Sequence, residues 1–87
     1  MSNWIVRLKN DAEDDLAKLD KSIRQRVLDK LGWLEENFDD VLPLPLSNEL
    51  AGFCKLRVGD WRVVYLVESE KKAILVMAIR HRKDVYK

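Results

Sequence analysis

Apolar side chains recur at Ile23, Val27, Leu31, Leu34 and Phe38, at spacings of four, four, three and four, which is the stripe of an amphipathic helix. Asp20 stands just ahead, placed to cap it. A shorter helix precedes: Asn10 offers a cap, Glu13 completes an Asn variant of the capping box, and Asp11, Asp14 and Asp15 complement a positive helix N-terminus. This helix is expected to run to about Leu19. Leu16, Leu19 and Ile23 then face one core, so the two helices form a hairpin. Ahead of them, Trp4 to Leu8 alternates apolar and polar residues and predicts a first strand. Trp33 falls off the helical stripe, either packed against a neighbouring loop or exposed as an anchor for a partner.

Pro43 and Pro45 break the helix and impose an extended connector. Three strand-like runs follow, Phe53 to Val58, Trp61 to Glu68 and Ala73 to Arg80, joined by Gly59-Asp60 and by Ser69-Glu70-Lys71-Lys72. Connections this short imply an antiparallel meander. The last two runs are apolar at nearly every position, which places them centrally or under cover on both faces. The expected fold is α+β: an N-terminal strand and an α-helical hairpin packed on a mostly antiparallel four-stranded sheet, as one domain over residues 1–87.

Composition narrows the function classes. A chain of 87 residues has room for one modest core and no large substrate-enclosing cavity. No apolar run approaches the roughly 20 residues of a membrane span, and the N-terminus lacks the features of a signal peptide, so the cytoplasm is the expected compartment and no membrane partner is expected. The single cysteine, Cys54, forms no internal disulfide and reads as buried packing; with one histidine it builds no structural zinc site without carboxylates. Neither a metal nor a cofactor is expected.

The net charge of +1 conceals a division that changes the picture. Residues 9–40 hold ten acidic and six basic side chains, a net of −4, whereas residues 52–87 hold nine basic and four acidic, a net of +5. A polyanion is drawn to the second half and repelled by the first, unless the segregation is merely that of a solvated surface.

Side chains two apart on a strand share a face, so Lys55 and Arg57 stand side by side while Cys54, Leu56 and Val58 point the other way. Arg62 begins the next strand and joins them or projects into the adjacent cleft. The last strand runs out into Arg80-His81-Arg82-Lys83-Asp84-Val85-Tyr86-Lys87. Taken singly, Lys55 and Arg57 also serve as edge charges against aggregation, His81 as a solvated residue and Tyr86 as an anchor against fraying. Together, Lys55, Arg57, Arg62 and Arg80 converge on one sheet end, with His81 and Tyr86 expected near the rim of a concave cationic site.

These residues resemble the RelE-type toxins of bacterial toxin–antitoxin pairs, within the wider RelE/ParE superfamily. The resemblance covers nearly the whole chain and is carried by the run from Leu50 through Lys55, Arg57, Gly59-Asp60-Trp61-Arg62 and Tyr65, and by Arg80-His81-Arg82-Lys83-Asp84-Val85-Tyr86. It implies a RelE-like fold and a metal-independent endoribonuclease that cuts messenger RNA on the ribosome and is silenced by a cognate antitoxin. In such toxins the ribose 2′-hydroxyl attacks the adjacent phosphate, leaving a 2′,3′-cyclic phosphate and a free 5′-hydroxyl. By position, Lys55, Arg57, Arg62, Arg80, His81 and Tyr86 are the catalytic candidates, and Lys55, Arg57, Arg82, Lys83 and Lys87 the RNA-binding ones. Arg57 departs toward arginine where members of the family carry lysine, and a guanidinium clamps phosphate but is a poor proton acceptor. A phenol crowded by Lys55, Arg57 and Arg80 has its pKa lowered from ~10, which makes Tyr86 the first candidate for the base, with His81 sharing or replacing that role. Two other readings accompany this one: a ParE-like toxin acting on DNA gyrase, and a basic RNA-binding domain without catalysis.

Overall fold

The structure, a computed structural model, describes residues 3–40, 44–45 and 53–85. Its elements are β1 (Ile5–Leu8), α1 (Asn10–Ala17), α2 (Lys21–Asn37), β2 (Leu44–Pro45), β3 (Phe53–Val58), β4 (Trp61–Glu68), β5 (Ala73–His81) and α3 (Arg82–Val85). Single 3-10 turns at Phe38–Asp40 and Ser69–Lys71 follow α2 and β4. The sheet order is β1-β5-β4-β3-β2, with β1 parallel to β5 and the remaining pairs antiparallel. The four strands expected are present. The fifth, β2, is a two-residue pairing on the outer side of β3, where a proline without a backbone N–H is tolerated.

Both long helices cover one face of the sheet. Ala12, Leu19, Val27 and Leu31 bury against Val58, Val63, Val76 and Ile79, with Leu16 and Ile23 packed beside them as the hairpin requires. A second cluster joins Leu34 and Phe38 to Tyr65 and Ile74, flanked by Trp4, Cys54, Leu56 and Val67. Each of the larger side chains so buried contributes on the order of 1.5–3 kcal/mol. The central position of β4 and β5 accounts for their continuous apolar character.

Three local expectations are corrected. Asn10 is the first residue of α1 rather than its cap: Lys9 holds the cap position in extended backbone with no side-chain cap bond. The reason is tertiary, since Lys9 N still donates to Val76 O at 2.9 Å while Lys9 O accepts from Glu13 N at 2.9 Å. The chain passes from the sheet straight into the helix. Second, α1 ends at Ala17, short of Leu19, in a tight turn closed by Leu19 N donating to Leu16 O. Third, Asp20 occupies the cap position of α2 without a side-chain bond, and Arg24 ties the hairpin instead, its Nη2 donating to Leu19 O at 2.9 Å.

Two features shape the sheet around its last strand. Strand β1 pairs with β5 only from Ala73 to Val76, so α1, entering directly after β1, lies beside the rest of that edge. In addition, β4 and β5 shift register between Val64 and Tyr65: Val64 faces Ala78 but Tyr65 faces Val76, leaving Met77 as an extra residue. That bulge inverts the alternation along β5. Ile74, Val76 and Ile79 can therefore all be buried, while Arg80 stays on the opposite face.

Candidate functional site

The face of the sheet opposite the helices carries a row of three arginines. Arg57 on β3 is directly opposite Arg62 on β4, and Arg62 is directly opposite Arg80 on β5. With neighbouring strands about 4.8 Å apart, the three stems cross the sheet within about 10 Å. Lys55 stands on the same face, two residues along β3 from Arg57.

The three guanidinium groups are held differently. Arg62 Nη1 donates to Gly59 O and to Trp61 O, each at 2.9 Å, while its buried Nε has no partner. Arg80 Nη1 forms an ion pair with Asp15 Oδ2 and donates to Ile79 O at 3.2 Å. Arg57 is exposed and has no hydrogen bond or ion pair among the described residues. Like charges directly opposite on adjacent strands destabilise a sheet, and Asp15 is the one carboxylate bonded to this row among the described residues. A phosphate is the natural complement: it accepts forked hydrogen bonds from guanidinium groups and removes their mutual repulsion.

Not every expected residue joins the row. His81 pairs across the ladder with Trp61 and meets its indole edge-on at 5.4 Å, and Trp61 packs on the helix-side core. The imidazole therefore lies on the face opposite Arg80, with its Nδ1 accepting from Lys83 N at 3.3 Å. Strand alternation separates adjacent residues in this way. The expected shared rim of His81 and the arginines is not formed. Arg82 is drawn to the β3–β4 turn, its Nε 3.7 Å from Asp60 Oδ1 and its backbone N donating to Asp60 O; Lys83 is exposed on α3. Tyr86 and Lys87 lie outside the described residues.

Asp15, by local pattern a helix-terminus charge, has a tertiary role: its Oδ2 accepts the Ile79 amide at 3.0 Å in addition to binding Arg80. It thus satisfies the edge of β5 that β1 leaves open. A signal for it exists in the sequence: Ala12, Asp15, Leu16 and Leu19 share one helical stripe, so Asp15 is a carboxylate in a core-facing row. Burial works against neutral-pH chemistry at two other titratable side chains. Burial raises the Cys54 thiol above its ordinary pKa, which suppresses the nucleophilic thiolate. Burial, then the facing Cys54, pushes the Tyr65 phenol up to about 12.

A helical hairpin on one side of a small sheet, with clustered arginines on the other, describes a small α+β protein with one cationic sheet face. A profile of the family described as "ParE toxin of type II toxin-antitoxin system, parDE" matches residues 6–86, and the chain belongs to that family, within the RelE/ParE superfamily of toxins. It is 32% identical over 90 residues to toxin RelG of Mycobacterium tuberculosis, covering 97% of each protein. It is 36% identical over 88 residues to a putative RelE-like toxin protein of Escherichia coli, covering 93% of this chain and 87% of the relative. Among solved structures, the toxin–antitoxin complex RelBE2 of M. tuberculosis superposes with a TM-score of 0.79 at 31% identity, over 91% of this chain and 98% of that one. The isolated E. coli RelE toxin shares the fold, with a TM-score of 0.72 at 18% identity over 90% and 83% of the two chains.

Proposed function

We propose that this toxin is a metal-independent endoribonuclease that cuts messenger RNA on the ribosome, with its activity restrained by a cognate antitoxin. The observation that carries the reading is the row Arg57–Arg62–Arg80, three cations aligned across one face of the sheet. In the reaction, the 2′-oxygen forms a bond to phosphorus as its proton passes to a base, and the bond from phosphorus to the 5′-oxygen breaks as that oxygen takes a proton. Negative charge develops on the phosphoryl oxygens, where positioned donors act most strongly. Arg62 and Arg80, each already oriented by hydrogen bonds, are assigned to that charge. Arg57 binds the adjoining phosphate, and Lys55 assists from the same face.

Tyr86 is assigned the role of base on its place in the sequence, one residue beyond α3; His81, on the other face, is assigned to supporting Trp61 and the start of α3. Arg82, Lys83 and Lys87 add attraction for the RNA backbone. Placement on the ribosome supplies the alignment that a shallow cationic face cannot impose on a flexible strand. Several structural relatives are toxin–antitoxin complexes, which supports an antitoxin as partner. Among the described residues no helix is long and apolar enough to cross a membrane, and the proposed site of action is the cytoplasm.

The test is to induce the chain in a bacterial host and map new 5′ ends on messenger RNAs, beside an Arg80→Ala, Tyr86→Ala double variant. Cuts within translated codons that bear 5′-hydroxyl ends and vanish in the variant are expected. The family description names ParE, so a toxin directed at DNA gyrase is the specific rival. Growth arrest with intact messages and DNA damage would identify that rival, and RNA binding without cuts would leave a basic binding domain.

A further inference from the structure

A second feature touches the arginine row from the side. Helix α2 and the β3–β4 turn enclose an open groove of about 440 Å³, lined by Arg26, Asp29, Lys30, Trp33, Arg57 and Gly59. Trp33 is 45% exposed although it is among the largest apolar side chains in the chain, and the Lys30 ammonium sits over one face of its ring, 4.1 Å from the centroid, so a base would stack on the other face or displace the ammonium. The Arg26 guanidinium rests against Gly59. The lining therefore holds three cations and one carboxylate, Asp29, which accepts from Gln25 Nε2 at 2.9 Å. An exposed indole among cations is the combination that holds single-stranded nucleic acid: the ring stacks on a base and the cations take the flanking phosphates. Arg57 belongs both to the row and to the groove lining, so the two surfaces are continuous at that residue.

We infer that this groove is a nucleotide-binding subsite, in which Trp33 stacks on a base of the RNA strand whose backbone crosses the arginine row, with Arg26 and Arg57 binding the intervening phosphate. The inference rests on the RNA-binding reading of the row. Its occupant is fixed by charge complementarity and by continuity through Arg57. Stacking on an indole tolerates any base, so the subsite adds affinity and registration without sequence preference.

The test is fluorescence anisotropy with the purified chain and a 2′-O-methyl oligoribonucleotide of about twelve residues, a length that spans the site sizes usual for such grooves and a chemistry that binds without being cut. Variants Trp33→Ala, Trp33→Phe and an Arg62→Ala, Arg80→Ala double variant are compared. Trp33→Ala is expected to weaken binding on the order of tenfold with an unchanged salt slope, since no ionic contact is lost. Trp33→Phe, which keeps an aromatic face, is expected to retain most of the affinity. Thermal melting of each variant identifies a folding defect, and Trp33→Phe carries the test if Trp33→Ala is unfolded: a Phe variant weakened as much as an Arg62→Ala, Arg80→Ala protein would overturn the stacking role. If Trp33→Ala binds like the unmodified chain while the double arginine variant is weakened, the subsite is wrong and the row stands, leaving the groove to a protein partner. Weakening by Trp33→Ala alone would overturn the RNA-binding reading of the row, and with it the strand path through row and groove on which the inference rests. No binding by the unmodified chain overturns both.

Discussion

Asp15 and Arg80, 65 positions apart in the chain, meet through an ion pair in which the same carboxylate oxygen also accepts the Ile79 amide. One side chain of α1 thus closes the open edge of β5 and holds a guanidinium of the arginine row. The two roles separate by substitution. Asp15→Asn keeps an oxygen for the Ile79 amide and loses only a partly exposed ion pair, a cost of about 0–1 kcal/mol. Asp15→Ala also strands a part-buried amide and should cost about 1–3 kcal/mol. Urea unfolding of the two variants checks the order, and equal losses would show that the amide contact contributes nothing.

Arg62 stands between two other arginines and has a buried, unpartnered Nε. Its removal should therefore act in opposite directions on activity and stability. Arg62→Ala is expected to lower cleavage on the order of a hundredfold or more. Relief of like-charge pairing, worth about 0.2–1 kcal/mol per pair, should leave the unfolding midpoint unchanged or raised. Single-turnover cleavage and chemical denaturation on one preparation measure both; a large fall in stability would show the row to be structural.

Gly59 has φ +59, and a Cβ there would stand 3.1 Å from Arg26 Nη2. A left-handed backbone costs a side-chain-bearing residue roughly 1–2 kcal/mol, and the guanidinium can swing away. Gly59→Ala should destabilise by that backbone cost. The Arg26→Ala, Gly59→Ala double variant should recover little of it, because the strain lies in the turn; full recovery in thermal melting would assign the cost to the steric contact.

The Tyr65 phenol, raised to about 12 by burial, makes stability depend on alkaline pH. The folded chain holds this proton more tightly than the unfolded one, whose phenol titrates near ~10. The resulting stabilisation is fully present below pH ~10 and is lost as pH rises through about 12. A shift of this size corresponds to on the order of 3 kcal/mol. Tyr65→Phe should behave like the unmodified chain at neutral pH and lack this part of the loss between about pH 10 and about 12, as measured by denaturation at each pH.

Much of this architecture is legible in the chain. The spacing from Ile23 to Phe38 marks α2, and Gly59-Asp60 and the Ser69–Lys72 connection mark the meander, because periodicity and turn chemistry are local properties. The shared face of Lys55 and Arg57 follows from strand alternation. The same rule, applied to the consecutive pair Arg80 and His81, sets the imidazole on the other face, against the shared rim expected from their adjacency. The capping pattern at Asn10 starts the first helix one residue late for a different reason. The backbone of Lys9 is committed to Val76, a contact that no local capping pattern reveals.

What the sequence determined by itself is therefore the helical hairpin and the four principal strands, the chemistry of the cationic half and its resemblance to RelE-type toxins, since these reside in residue type and short-range spacing; the β2 pairing and α3 were not among the expected elements. Only the tertiary structure decided which cations face one another. The register that aligns Arg57, Arg62 and Arg80 depends on strand pairing, and the Met77 bulge that keeps Arg80 on their face while Ile74, Val76 and Ile79 bury depends on how β4 and β5 fit the core. Asp15 acquires its role only because β1 stops at Leu8 and leaves α1 beside the open edge of β5, a consequence of packing between segments far apart in the chain.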